Sequence, residues 1–234
     1  MATRFYLPAA AATTPISPTQ AAFWTDTSLL TRVNMDTATI ADAMATTSYS
    51  DSNNGAKTIL FRQHVSRAMA GGQTITGSQA VKMQIRGAMG ASGANLVVHA
   101  GLRVIGSDGS TVRKTLIDNV ADGVTMALGT LTNRQYTATS AATDYTTIAS
   151  DYLVLETGVS GTPGGVSDHD SSLRYGDAAA SDLPENDTGT TDLRPWLELT
   201  DTLSFLALDI PYVAAVFTPT NFLHFDRRFV PVPY

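Results

Sequence analysis

The stretch from Leu173 to Leu199, LRYGDAAASDLPENDTGTTDLRPWLEL, sets the strongest limit on how this chain can fold. It spaces Asp177, Asp182, Asp187 and Asp192 five residues apart, interleaves Pro184 and Gly189, and closes on Pro195-Trp196. Such a segment is excluded from a helix, because proline removes a backbone donor while Asp, Ser and Thr compete for main-chain hydrogen bonds. It reads as a long ordered strap. Arg174-Tyr175-Gly176-Asp177 at its start and Pro195-Trp196 at its finish read as strand ends that pin a polar crossing to a β framework. The rest of the chain agrees: the usual surface helix formers are almost missing, with only Lys57, Lys82 and Lys114 and only Glu156, Glu185 and Glu198 among 234 residues. Nearly all remaining cations are arginines, whose planar fork suits buried or interfacial pairing.

A net charge of -6 and a pI near 5.0 argue against nucleic acid as partner, since phosphate binding needs a basic face. The absence of cysteine excludes disulfides, thiolate chemistry and Cys-type zinc sites, so stability must come from burial or assembly. The opening MATRFYLPAAAATTPISPTQ is broken by Pro8, Pro15 and Pro18 and makes a poor signal peptide. No run approaches the length of a membrane span, so no membrane partner is expected.

Residues 1–30 form a Pro/Ala/Thr-rich segment, expected as an extended arm anchored by Phe5, Tyr6, Phe23 and Trp24. Strand signals follow over 31–208. In TILFRQHVS, Ile59, Phe61 and Val65 alternate with Leu60, Arg62 and His64, a half-buried strand. Val81, Met83 and Ile85 alternate with Lys82, Gln84 and Arg86, leaving that second face wet. Asn95 to Ile105, the turn Ser107-Asp108-Gly109-Ser110 and Thr111 to Ile117 form a hairpin, because Asp-Gly supplies the positive φ of a tight turn. A further apolar run spans Tyr145 to Val159 and a late strand spans Asp201 to Leu208. Helix is expected to be scarce, one turn or two at Ala38 to Met44 or Ala121 to Leu128. Short strands with long crossings predict an antiparallel β-sandwich of jelly-roll type. Residues 209–234 form a second arm, proline-stiffened and rich in rings at Tyr212, Phe217, Phe222, Phe225, Phe229 and Tyr234, which must find an apolar resting place.

Catalytic templates do not stand out. His64, His99, His169 and His224 lie far apart without metal-ligand spacing. Asp168-His169-Asp170-Ser171 offers alternating oxygens of the kind calcium prefers, yet lacks the glycine and distal glutamate of an EF-hand loop, and a solvated turn explains it. Asp182, Glu185, Asp187 and Asp192 supply carboxylates in number, as a glycosidase pair requires, but turn formation accounts for them more simply. No GxSxG elbow and no phosphate-binding glycine loop occurs. Neither a cofactor nor a resident metal is expected.

Two segments, MATRFYLP and the block RYGD, ASDLPEND, TTDLRPWLEL, resemble structural proteins of tailed phages and prophages. The likeness runs more loosely through RQHVS, KMQIRG, VIGSDGSTVRKTLI and LTNRQY, and stops before the C-terminal arm. It implies a virion component with a β-sandwich body and brings no site residue with it. The expected function is that of a capsid decoration or cement protein, partnered by the major capsid protein and by copies of itself, a trimer matching the local symmetry of a shell. Its contacts would be Phe5, Tyr6, Trp24, Tyr212, Phe217, Phe222, Phe225 and Phe229. A second function is a glycan-binding adhesion module, with Tyr136, Tyr145 and Tyr175 as the sugar platforms.

Overall fold

The computed structural model describes residues 2–10, 13–39, 42–52, 55–90, 94–163, 169–179, 181–185 and 188–206. Among them the chain forms thirteen strands and no helix, including over the candidate turn at 121–128; the middle of the candidate turn at 38–44, residues 40 and 41, lies outside the described residues. In chain order the strands are β1 Thr3–Tyr6, β2 Thr31–Asn34, β3 Ala45–Tyr49, β4 Lys57–Val65, β5 Thr74–Ile75, β6 Ala80–Met89 and β7 Ala94–Ile105. They continue with β8 Val112–Ala121, β9 Thr132–Thr139, β10 Tyr145–Thr146, β11 Tyr152–Pro163, β12 Ser171–Tyr175 and β13 Trp196–Leu199.

Two sheets face each other. The first has the order β1-β13-β6-β12-β3, with β9 along the other edge of β6; the second has the order β2-β4-β11-β7-β8. Every strand pairing is antiparallel except β2 with β4. The core forms where period-two patterning turns apolar residues inward: Phe5, Met83, Ile85, Tyr136 and Leu197 from the first sheet meet Ile59, Phe61, Val98, Leu102 and Leu155 from the second. The curled all-β sandwich expected from the sequence is therefore the observed fold. The β7–β8 hairpin turns at Gly109, whose φ is 71°, while Asp108 accepts hydrogen bonds from the amides of Ser110 and Thr111.

Two patterns depart from simple alternation. In β4 the register against β11 jumps between Thr157 and Gly158, a bulge in which Phe61 is the extra residue of β4. Ile59 and Phe61 face the core, but beyond the bulge Arg62 and His64 turn inward, while Val65 joins Ile16, Ile105 and Val154 on the outer side. Both faces of β4 are consequently buried, where one mixed face was expected. The apolar run from Tyr145 is likewise divided, because Ser150 takes a φ of 69° and Asp151 accepts from the Ile148 amide and the Tyr145 hydroxyl. The late strand is β13; of the span expected at Asp201 to Leu208, residues 201–206 form no strand, Asp201 capping Thr76 and Gln79 and a single bridge joining Phe205 to Met69, and 207–208 lie outside the described residues.

Residues 2–10 and 13–30 belong to the body. β1 pairs with β13, Leu7 donates its amide to the Pro195 carbonyl, and Gly176 donates to Leu7. The guanidinium of Arg62 donates to the carbonyls of Pro8 and Ala9, while Asp42 accepts from the amides of Ala9 and Ala10, so this turn is held from both sides. Farther on, Ile16, Ala21, Phe23 and Trp24 lie on the outside of the second sheet. The segment 209–234, with Tyr212, Phe217, Phe222, Phe225, Phe229 and Tyr234, lies outside the described residues.

Candidate interaction surface

The outer face of the first sheet is built by register. Opposed residues share a face, so Tyr6, Trp196, Gln84 and Gln135 form one cross-strand row and Arg4, Glu198, Lys82 and Thr137 the next. Arg174 opposite Arg86 adds a third. Four cations thus share one sheet face, where the sequence suggested an open polar surface.

The strap covers it. β12 and β13 lie on one line along β6, Arg174 opposite Arg86 and Trp196 opposite Gln84, so residues 176–195 leave and re-enter the sheet at almost one position. The excursion folds back across the rows. Arg4 bonds Asp182 at 3.0 Å and Glu198 at 2.7 Å, Lys82 pairs with Glu185, and Asp192 pairs with both Arg86 and Arg174. Tyr6 donates its hydroxyl to Asp182 at 3.2 Å. The remaining donors meet strap carbonyls: Trp196 Nε1 donates to Leu183 at 2.6 Å, Gln84 Nε2 to Pro184 at 2.8 Å, Arg86 to Thr190 at 2.7 Å, and the Asn133 amide to Gly189 at 2.8 Å. Arg4 also stacks 4.1 Å from the Trp196 ring centre. Asp182, Glu185 and Asp192, read as turn formers from sequence, are ion-pair partners of the sheet, while Asp187 lies outside the described residues.

The outer face of the second sheet is closed differently. Glu156 is fully buried and accepts from Arg103 at 2.6 Å, Gln63 at 2.8 Å, Trp24 Nε1 at 2.8 Å and the Ala21 amide. Arg103 donates in turn to Thr19 O, and Arg32 bridges Gln63 to Pro18 O. Two strand glycines make room for the rings: a Cβ on Gly101 would meet Phe23 at 2.9 Å, and one on Gly158 would meet Trp24 at 2.8 Å. Glycines inside strongly apolar strands were the available signal for this cover.

Phe5 and Trp24, expected as contacts to neighbours, are therefore spent inside their own chain at 1% and 6% exposure. The reason is that β1 supplies a strand to the first sheet and Trp24 shields a strand that is apolar on both faces. Tyr6 is half-buried against Asp182. Two of the three sugar platforms lack access, while Tyr145 is half-buried. Tyr136 and Tyr175 are buried, because inward period-two positions point them into the core, and Tyr145 holds Asp151 with its hydroxyl. Tyr175 stacks beneath Arg62 at 4.2 Å, beside His64, and its hydroxyl lies 3.0 Å from Thr157 Oγ1. Burial, aided by the Arg62 charge, pushes His64 down to about 3 and keeps it neutral.

A second polar cluster ties the β3–β4 connection. Asp51 accepts from His169 Nδ1 at 2.8 Å, pairs with Lys57 and meets the Tyr49 hydroxyl, which also donates to Asp26 at 2.6 Å. Burial opposes ionisation of Asp51, yet its bonds to Lys57, His169 and Tyr49 outweigh this and hold it well below the usual carboxylate range. Burial and the bond to Asp26 push Tyr49 up to about 12. The cluster is an anchor of fixed charges. Asp168 lies outside the described residues, and among those described no group of three His, Asp or Glu is arranged to hold a metal ion.

No protein-family model matches the chain, and no curated protein matches it. A solved structure similar to it is a CocE/NonD family hydrolase from Staphylococcus aureus, with 8% identity, a TM-score of 0.44, and coverage of 86% of this chain and 36% of that one. Another is VP2 of infectious bursal disease virus in a subviral particle, with 15% identity, a TM-score of 0.30, and coverage of 70% and 39%. T=1 particles derived from the same virus give 15%, 0.29, 69% and 36%. The chain spans less than half the length of each. Likenesses of this strength assign neither an activity nor a partner to it.

Proposed function

We propose that the chain is a structural component of a tailed-phage virion, acting as a head decoration or cement protein that bridges the major capsid protein and copies of itself. One observation carries this reading. The two sequence blocks that resemble phage structural proteins, MATRFYLP and YGD…PWLEL, are distant in sequence but form one unit: β1 pairs with β13, Arg4 joins Asp182 to Glu198, and Leu7 bonds both Gly176 and Pro195. A signature whose parts bind each other behaves as one structural module. The N-terminal rings are consumed by the body, which leaves the aromatic segment 209–234 as the part of the sequence that reaches a capsid neighbour, through Tyr212, Phe217, Phe222, Phe225 and Phe229.

The test is to count copies per purified particle by quantitative mass spectrometry and to image them by cryo-electron microscopy. Copies in fixed proportion to the major capsid protein are expected; a few copies at the tail, or none, would overturn the reading. Deleting residues 209–234 should leave a folded sandwich that no longer associates with particles. Undiminished association of the truncated chain would remove the arm from the account.

A further inference from the structure

The strap reads as a ligand as much as a loop. Main-chain carbonyls of Leu183, Pro184, Gly189 and Thr190 are met by donors on the sheet, and three of its carboxylates by four cations. We propose that the outer face of the first sheet is a recognition surface for acidic, extended peptide segments, and that residues 181–194 are its resident, displaceable occupant. This inference does not depend on the virion reading.

The hold on the strap is light. Among its described residues from 178 to 194 only Leu183 is a buried apolar anchor, and the side chains of Asp182, Glu185 and Asp192 stay 25%, 38% and 41% exposed. Pairs with one partner facing solvent are screened by salt, and a segment with few buried apolar side chains of its own has little to hold it once they weaken; the main cost of opening is the uncovering of Trp196, Gln84 and Arg86. Release also spares the sheet, since only Tyr175 stands between the Arg174–Arg86 and Trp196–Gln84 pairs. What release uncovers is Arg4, Lys82, Arg86 and Arg174 around Trp196 and Gln84. Donors spaced to read successive peptide carbonyls favour a polypeptide over a nucleic acid, as does the net charge of -6.

The probe is a labelled synthetic peptide of residues 181–194, titrated into the full chain and into its Asp182→Lys/Glu185→Lys/Asp192→Lys variant. The variant should bind the peptide at least about tenfold more tightly than the parent, with affinity falling as salt rises. Adding Lys82→Glu and Arg174→Glu should abolish binding. A natively folded variant that binds no better than the parent overturns the proposal, as does one that takes single-stranded DNA but not the peptide. Should the variant fail to fold, hydrogen exchange on the parent chain decides. Amides of 181–194 should exchange about tenfold faster near 1 M salt than at low salt, with β6 unchanged; equal protection sinks the idea.

Discussion

Both sheets have an outer face that needs a cover, and the two covers are built on opposite physics. The N-terminal segment on the second sheet is locked by a fully enclosed carboxylate, Glu156, whose Arg103 partner is also buried. The strap on the first sheet is held by ion pairs whose acidic side chains are partly open to solvent, by four of its carbonyls that accept from the sheet, and by one buried leucine of its own. A buried pair resists salt but punishes the loss of either member, whereas exposed pairs individually contribute little and yield to screening. One cover is part of the folded body and the other rides on it.

The comparison can be broken most directly at Glu156. Glu156→Ala strands Arg103 and the Trp24 and Gln63 donors, and should cost about 3–5 kcal/mol in denaturant unfolding. A cost under about 1 kcal/mol would erase the contrast. Trp24→Ala should follow at roughly 3 kcal/mol, lost with the ring over Gly158, and should leave exchange in the strap unchanged.

Acid should act on the locked side. Burial pushes His99, packed against Phe23 and the edge of Trp24, down to about 4, and His64 in the core down to about 3, from an ordinary value of 6.5. Both bases stay neutral in the folded chain while the unfolded chain takes up protons below about pH 6.5. Stability is therefore full above that pH and falls as pH drops toward the folded values, by about 2 kcal/mol per histidine at pH 5. His99→Gln should remove about half of the fall between pH 7 and 5, the rest belonging to His64, measured by urea unfolding at each pH. The smallest effect belongs to the strap: Asp182→Asn should cost under about 1 kcal/mol, and less still in high salt. A larger, salt-independent loss would mean that the strap is locked as firmly as its counterpart.

Much of the sandwich is legible in the chain because alternation along β6 and β7 and the Asp108-Gly109 turn act over a few residues. The β4 face change is not, since the bulge at Phe61 is defined by the register of β4 against β11 at Thr157 and Gly158, which the β4 sequence alone does not carry. The same limit hid the interaction surface. Arg4, Lys82, Arg86 and Arg174 are scattered through the sequence, and only register across β1, β6 and β12 gathers them under the strap.

Sequence alone determined the class of fold, the strap's non-helical character and its two strand ends, because backbone propensity and period-two burial are local properties. Only tertiary structure decided which rings are spent inside the chain, which acids meet which cations, and that the two resemblance blocks join. Those outcomes depend on what lies across a sheet, and pairing over long separations leaves no periodicity for a single strand to display.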